Sequence, residues 1–392
     1  MTDLYNSPDL QRTDYTAPLN EEHALLGGLS ARTDVEAERM KRYLAMPDLS
    51  RTKSSPLYEI KERVTNLPVL KNFDHIQIPE ILPTTILFDL FDFAPDHVAR
   101  SHSDTYYVDE KNVLRTHDTV MWYYYLNLPE IKQKITDGKA LGVMCYGKVY
   151  RKDEIDRRHM NIFHQMGGLY LQPDSRGVLP IDELKKVLTD IVLSTFGADT
   201  KFRFLDDTFP YTDPSLQIEV EINGPNGSTW VEIMGGGMPK KSVLKKMGLE
   251  GYNGWAFGFG LERLAIIGME LPDIRLLWST DERVVKQLKL GTKFVEVSKY
   301  PPVVRDISFV VDDTFVPNNY FDLVRDVVGD MAEEMALIDT YANEAKFGAG
   351  KVSYAYRITY RSLDRTLTST EVDEMHKKLE GATKTTYQAI IR

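Results

Sequence analysis

The chain has 392 residues, enough for roughly two or three domains, and is 42% hydrophobic and 27% charged, as ordinary globular proteins are. Its 48 Lys and Arg against 58 Asp and Glu give a net charge of −10. That excludes a generally basic nucleic-acid binder, while local patches still suffice to dock one folded RNA. The single cysteine, Cys145, rules out a disulfide framework and argues against a thiolate zinc site. No apolar run approaches the roughly 18 residues of a membrane span.

The first residues, MTDLYNSPDLQRTDYTAPLNEEHALL, are too polar for a signal peptide. With Asp3, Asp9, Asp14, Glu21 and Glu22 they are also too acidic for a transit peptide, so the plain reading is a cytoplasmic protein. Residues 1–52 are expected to be a loosely attached extension with one helix, Val35 to Ala45. Ser55-Pro56 starts a second helix, with proline in its first turn and Leu57, Ile60 and Val64 at helical spacing. From Phe88 to Leu114 the pattern predicts short β-rich pieces. Leu141 to Tyr150 and Gly168 to Leu171 read as two strands around a polar loop. Phe202 to Leu205 reads as a strand, and Thr229 to Met234 as one leading into Gly235-Gly236-Gly237. Ala256 to Gly260 is a strand that runs into a helix carrying Leu261, Leu264, Ala265 and Gly268 on one face. Strands and helices without strict alternation predict an α+β fold with a mostly antiparallel sheet.

A boundary falls near 291–298, ahead of Pro301-Pro302. Beyond it the spacing predicts a strand (Ile307 to Val311), a helix (Phe321, Val324, Val328, Met331) and two strands (Leu337 to Tyr341, Val352 to Tyr360). A helix from Thr370 to Lys378, capped by Ser369, and a last strand from Tyr387 to Ile391 complete the series. This is the β-α-β-β-α-β order of a ferredoxin-like domain. The division is therefore 1–52, 53–290, a linker 291–298, and 299–392.

Chemistry concentrates in two stretches. GKVYRKDEIDRRHMNIFHQMGG runs from Gly147 to Gly168, and Glu262 lies 94 residues further on, in GWAFGFGLERLA. Arg151 and Arg263 are what a site needs to grip a triphosphate from two sides, and no Gly-rich phosphate loop is present to do it instead. Arg151, Asp153, Asp156 and His159 read either as a loop that wraps a nucleotide or as a solvated charged hairpin. Phe163 and Gln165 alternate and so share one face of a strand. Phe209-Pro210-Tyr211 makes a stiff aromatic slot for a ring-bearing ligand, or ordinary core packing. Glu232 reads either as a Mg²⁺ ligand or as an edge-strand charge. Six of the eight histidines fall between His75 and His164, but their spacings do not form a transition-metal motif.

Taken together, these motifs resemble motifs 2 and 3 of class II aminoacyl-tRNA synthetases. RSHSDTYY (Arg100 to Tyr107), LRTH (Leu114 to His117), FHQM, FPYTDPS (Phe209 to Ser215) and LPDIRLLW (Leu271 to Trp278) are similar to the phenylalanyl-tRNA synthetase family. In the tail, KYPPVVRDISF, YRITYRSLDRTLT and the terminal Arg392 resemble its anticodon-binding domain. The resemblance covers about residues 55 to 392. It implies the single-chain, monomeric, mitochondrial-type layout, with a class II antiparallel sheet flanked by helices, no editing domain, and a mitochondrial alternative to the cytoplasm. It further implies ATP and Mg²⁺ as cofactors, phenylalanine and tRNA(Phe) as partners, and no membrane association.

Carried over by residue, the resemblance implies that Arg151 holds the α-phosphate, Asp153 the adenine amine, and Phe163 the adenine ring. His159 and Arg263 hold the outer phosphates, and Glu232 is the Mg²⁺ ligand. His117, Thr119 and Gln165 surround the ammonium and carboxylate of the amino acid. Phe209 and Tyr211 wall its ring, and Ala256 floors the pocket. Three departures all touch the amino-acid pocket. Gly167 stands where the family has the glutamate of FHQ-x-EG. Thr116-His117-Asp118-Thr119 stands for THTS, and Tyr211 for a second phenylalanine. If 116–119 is a strand, alternation turns Asp118 away from His117 and Thr119 and argues against its replacing the lost acid. Two alternatives stay open: a paralogue that activates another aromatic acid or loads a non-tRNA acceptor, and a catalytically silent tRNA-binding protein. The tail's 12 basic and 15 acidic residues point to stacking and edge contacts, not bulk charge, for reading RNA.

Overall fold

The computed structural model describes residues 7–224, 227–296 and 300–392. Its larger sheet has eight strands. They are β1 (Asp14–Thr16), β2 (Asp74–Gln77), β5 (Leu141–Tyr150), β6 (Ile162–Pro173), β7 (Phe202–Phe209), β8 (Thr212–Gly224), β9 (Gly227–Pro239) and β10 (Tyr252–Gly260). Their order is β1-β2-β5-β6-β10-β9-β8-β7. The β1–β2 and β2–β5 pairs are parallel and the rest antiparallel. A separate hairpin pairs β3 (Ile81–Pro83) with β4 (Asn112–Leu114).

Side-chain alternation along the central strands feeds two cores. Met144, Met166, Tyr170 and Phe257 face the helices Pro56–Thr65, Ile181–Phe196 and Leu261–Met269. Val143, Cys145, Leu169 and Ala256 face a second layer built from Phe88, Phe91, Val120, Trp122 and Tyr125. Ser55 starts its helix as expected, accepting a hydrogen bond from the Leu57 amide. Leu57, Ile60 and Val64 are then fully buried, each contributing about 1.5–3 kcal/mol relative to exposure.

The N-terminal segment is not loosely attached. Leu10 and Leu49 enter the main core, and β1 extends the sheet. The Val35–Ala45 helix buries Ala37 and Met40 completely. The stretch from Phe88 to Leu114 is mostly turns and irregular loop, with short 3₁₀ turns at Asp89–Phe91 and Val98–Arg100 and a strand only at its end. Neither glycine run is a turn: Gly167-Gly168 lies inside β6, and the triple glycine inside β9.

The C-terminal sheet comprises β11 (Val303–Asp312), β12 (Ala332–Ala342), β13 (Lys351–Tyr360) and β14 (Ile390–Ile391), in the order β12-β13-β11-β14. With the helices Pro317–Val328 and Ser369–Tyr387 it has the expected β-α-β-β-α-β order. The second helix is capped by Thr368, not Ser369, because Thr368 and Glu371 form a reciprocal capping box. It runs on to Tyr387, so the last strand is only Ile390–Ile391. Tyr356 and Tyr360 are buried in this domain's core. Part of the expected linker, residues 297 and 298, lies outside the described residues, as does Lys299.

The two halves pack tightly around the loop between β5 and β6. Asp322, fully buried, accepts hydrogen bonds from Tyr106 Oη (2.9 Å) and Asn161 Nδ2 (3.0 Å). Arg325 donates to the carbonyls of Asp153 (3.0 Å) and Glu154 (2.6 Å). Ile155 joins the C-terminal core, and its carbonyl accepts the Met335 amide at 2.9 Å.

Candidate active site

One cavity of about 700 Å³ opens on the face of the sheet where β6, β9 and β10 meet. All twelve side chains picked out in the sequence line it: Arg151, Asp153, His159, Phe163, Glu232 and Arg263 together with His117, Thr119, Gln165, Phe209, Tyr211 and Ala256.

The cationic end is built from two elements. Arg151 follows β5; its Nε donates to the Thr116 carbonyl at 2.9 Å, and its guanidinium lies 5.1 Å from the centre of the Phe163 ring. It is open to the cavity yet deep in the fold, and burial lowers its pKa while Asp153 pulls the other way. Arg263 stands in the first turn of the Leu261–Met269 helix. Its Nη1 donates to the Glu232 carbonyl at 3.1 Å and sits 3.9 Å from the Glu232 carboxylate. His159 Nδ1 lies 2.7 Å from Asp156 Oδ2, and this hydrogen bond raises the imidazole pKa.

A buried lock ties the two halves of this end together. Glu262 accepts the His164 amide (2.8 Å to Oε2) and lies 2.6 Å from His164 Nδ1. His164 Nε2 accepts the Leu49 amide at 2.9 Å, which assigns the ring proton to Nδ1. Residues beside each partner, Phe163 and Gln165 on one side and Arg263 on the other, face the cavity. Glu262 is a residue whose structural part the sequence reading did not identify.

The other end is aromatic. The Phe209 and Tyr211 rings stack at 6.1 Å and 13°. Tyr211 meets Trp122 and Phe91 edge-on, both at 5.8 Å. His117 lies beside both Phe93 and Tyr211, nearly parallel to each. Burial pushes the His117 imidazole down to about 3, with Arg151 adding to the effect, so the ring is neutral. Burial raises the pKa of the Tyr211 hydroxyl, and the Thr119 side chain pulls the other way.

The floor between the two ends lacks side chains. Gly167 of β6 pairs with Gly258 of β10, which pairs with Gly235 of β9. A methyl group at Gly235 would lie 2.7 Å from the Phe209 ring. Asp118 covers the other part of this floor. Residues 118–120 form a 3₁₀ turn, not a strand, so side chains do not alternate there and Asp118 faces the cavity with His117 and Thr119. Gln165 Oε1 accepts the Asp118 amide at 3.0 Å. Asp118 is 3% exposed, and burial raises its pKa to about 7 against the pull of Arg115 and Arg151.

Among the described residues, no group of three His, Cys, Asp or Glu side chains is placed to hold a metal ion. Glu232 is instead a single exposed carboxylate beside Arg263 at the cationic end. That fits a Mg²⁺ ion coordinated mainly by substrate phosphates, and not one caged by protein. No helix among the described residues is long and apolar enough to cross a membrane.

Residues 40–288 match the model of the tRNA synthetases class II core domain (F), and residues 298–392 match the ferredoxin-fold anticodon binding domain. The chain is 38% identical to the chloroplastic/mitochondrial phenylalanine–tRNA ligase of Arabidopsis thaliana, over 79% of this chain and 67% of that protein. It is 32% identical to the mitochondrial phenylalanine–tRNA ligase of Mus musculus, over 86% and 81%. The alpha subunit of the Persephonella marina phenylalanine–tRNA ligase is 31% identical over 69% and 78%. A class II core with this cavity, followed by a ferredoxin-fold domain, establishes that the chain belongs to the phenylalanine–tRNA ligase family of class II aminoacyl-tRNA synthetases.

Proposed function

We propose that this chain charges tRNA(Phe) with phenylalanine in two steps at the cavity described. The observation that carries the reading is that Arg151 and Arg263, from separate elements, line one cavity whose far end is a stacked aromatic slot. Phenylalanine lies against the wall formed by Phe209 and Tyr211, above Ala256, and ATP lies toward the arginines.

In the first step a carboxylate oxygen of phenylalanine attacks the α-phosphorus, the bond to the bridging oxygen breaks, and pyrophosphate leaves with the electron pair. Such a displacement needs positioning and charge neutralisation more than proton transfer. Arg151 would meet the α-phosphate, Arg263 and His159 the outer phosphates, and Phe163 and Asp153 the adenine. The raised pKa of His159 favours its cationic form beside phosphate. Glu232 would hold Mg²⁺, which supplies further neutralisation of the phosphate oxygens when bound. In the second step a hydroxyl of the terminal ribose of the tRNA attacks the acyl carbon and AMP leaves.

Residues 53–290 would form the catalytic unit and 299–392 the anticodon-binding unit, acting as a monomer. The relatives' names favour the mitochondrion over the cytoplasm expected from the polar N-terminus. A silent tRNA-binding protein has no physical use for a retained arginine pair, which opposes that alternative. The test is ATP–pyrophosphate exchange with a panel of aromatic amino acids, followed by aminoacylation of tRNA(Phe). Phenylalanine should support both reactions. If another aromatic acid alone supports exchange, the paralogue reading holds instead.

A further inference from the structure

Five carboxylates line the cavity: Asp104, Asp118, Asp153, Glu232 and Glu262. Glu262 is committed to His164, and Glu232 to the neighbourhood of Arg263. Asp153 sits on the loop after Arg151, and Asp104, bonded by Ser103, sits where its carbonyl accepts the Lys152 amide. Asp118 alone adjoins the aromatic slot, between His117 and Thr119. Its Oδ2 is buried and without a hydrogen-bond partner, and no cationic side chain among the described residues lies within ion-pair distance of it.

A buried carboxylate in that state is costly unless a cation arrives to complete it. The space it occupies is a second, independent observation. A methyl group at Gly167 would lie 2.6 Å from Asp118 Oδ2, 3.0 Å from its Cγ and 3.0 Å from the Phe257 carbonyl. A methyl at Gly258 would lie 3.5 Å from Asp118 Oδ1. The aspartate thus rests on bare backbone that exists because both paired positions are glycine. Gln165 fixes the start of the turn by accepting the Asp118 amide.

We propose that Asp118 is the anion that binds the substrate's α-ammonium group, and that Gly167 is the space that admits it. The acid missing from Gly167 has not been lost: it has moved to the facing turn. The inference rests on the amino-acid-activating reading of this cavity. It also joins two of the sequence departures into one exchange of position.

The test is steady-state ATP–pyrophosphate exchange with wild type, Asp118→Asn, Gly167→Glu and the double variant Asp118→Thr/Gly167→Glu, each checked for folding by thermal melting. Competition by 3-phenylpropionate, which lacks the ammonium, is measured alongside. Asp118→Asn should raise KM for phenylalanine about ten- to a hundredfold, as expected for loss of a charge-assisted hydrogen bond, with KM for ATP changed less than about twofold. Its inhibition by 3-phenylpropionate should match wild type. The double variant should recover phenylalanine binding that Gly167→Glu alone impairs. An unchanged phenylalanine KM in a folded Asp118→Asn protein would overturn the proposal, as would a double variant no better than Gly167→Glu. Wild type that exchanges with no amino acid would instead remove the underlying functional reading.

Discussion

Glu262 and His164 share a hydrogen bond of 2.6 Å and are 3% and 0% exposed, joining the start of the Arg263 helix to the strand that carries Phe163 and Gln165. The carboxylate also accepts the His164 amide, so two buried donors depend on it. Glu262→Ala should therefore cost about 1–3 kcal/mol for each orphaned donor, measured by urea denaturation. Because Arg263 is the next residue, KM for ATP should rise as well. A variant with wild-type stability would mean that the lock does not organise the site.

The Asp118 carboxyl, held up at about 7 by burial, predicts a pH dependence with a definite sign. In the free protein the folded state keeps a proton that the unfolded chain releases above its ordinary value of 3.8. The contribution of this group to stability is thus full below about pH 4 and falls as pH rises toward 7. An ammonium ligand needs the ionised form, so binding expels a proton below pH 7. KM for phenylalanine should fall between pH 6 and 8 in wild type and stay flatter in Asp118→Asn. The charged and titratable groups around it, Arg115, Arg151, Cys145 and Tyr211, do not supply a change of charge in that window. Equal pH profiles for the two proteins would contradict this assignment.

Ala256 is 5% exposed on β10 and lines the aromatic end of the cavity. Ala256→Leu should crowd the substrate ring, and overpacking of this kind costs about 1–3 kcal/mol. That corresponds to about a five- to hundredfold loss in kcat/KM for phenylalanine, with KM for ATP unchanged. Exchange kinetics with both substrates varied would show it. Equal losses on the two substrates would mean that Ala256 does not set pocket depth.

Arg325 reaches from the C-terminal domain to the carbonyls of Asp153 and Glu154. Hydrogen bonds from a charged donor contribute about 1.5–3 kcal/mol, and here they steady the loop that follows Arg151. Arg325→Ala should raise KM for ATP by about tenfold or more and leave KM for phenylalanine unchanged. No change in either would show that the loop holds its shape without the second domain.

The architecture was legible where periodicity is local. Val35 to Ala45, Leu141 to Tyr150 and the C-terminal element order follow from spacing alone. What failed depended on neighbours far away in sequence. The strands expected at Gly168 to Leu171 and Thr229 to Met234 run on through their glycines because β10 pairs with both β6 and β9, with Gly258 between Gly167 and Gly235. Residues 116–119 look like strand, yet Asp118 begins a 3₁₀ turn, and that changes which way an acid points. The N-terminal segment is polar on average, but Leu10, Ala37, Met40 and Leu49 find partners in cores assembled from later parts of the chain. At the site, motif spacing selected side chains that share one cavity, while the relation of Asp118 to Gly167 needed the packing of turn against sheet.

The proposed site for adenylate formation unites two guanidinium groups with an aromatic slot. Phenylalanine-dependent ATP–pyrophosphate exchange by wild type, Arg151→Ala and Arg263→Ala tests it most directly. Wild type should exchange with phenylalanine, and each folded variant should lose about 10²–10³-fold, the scale for removing one transition-state donor. Exchange that survives both substitutions, or that phenylalanine does not support, would contradict it.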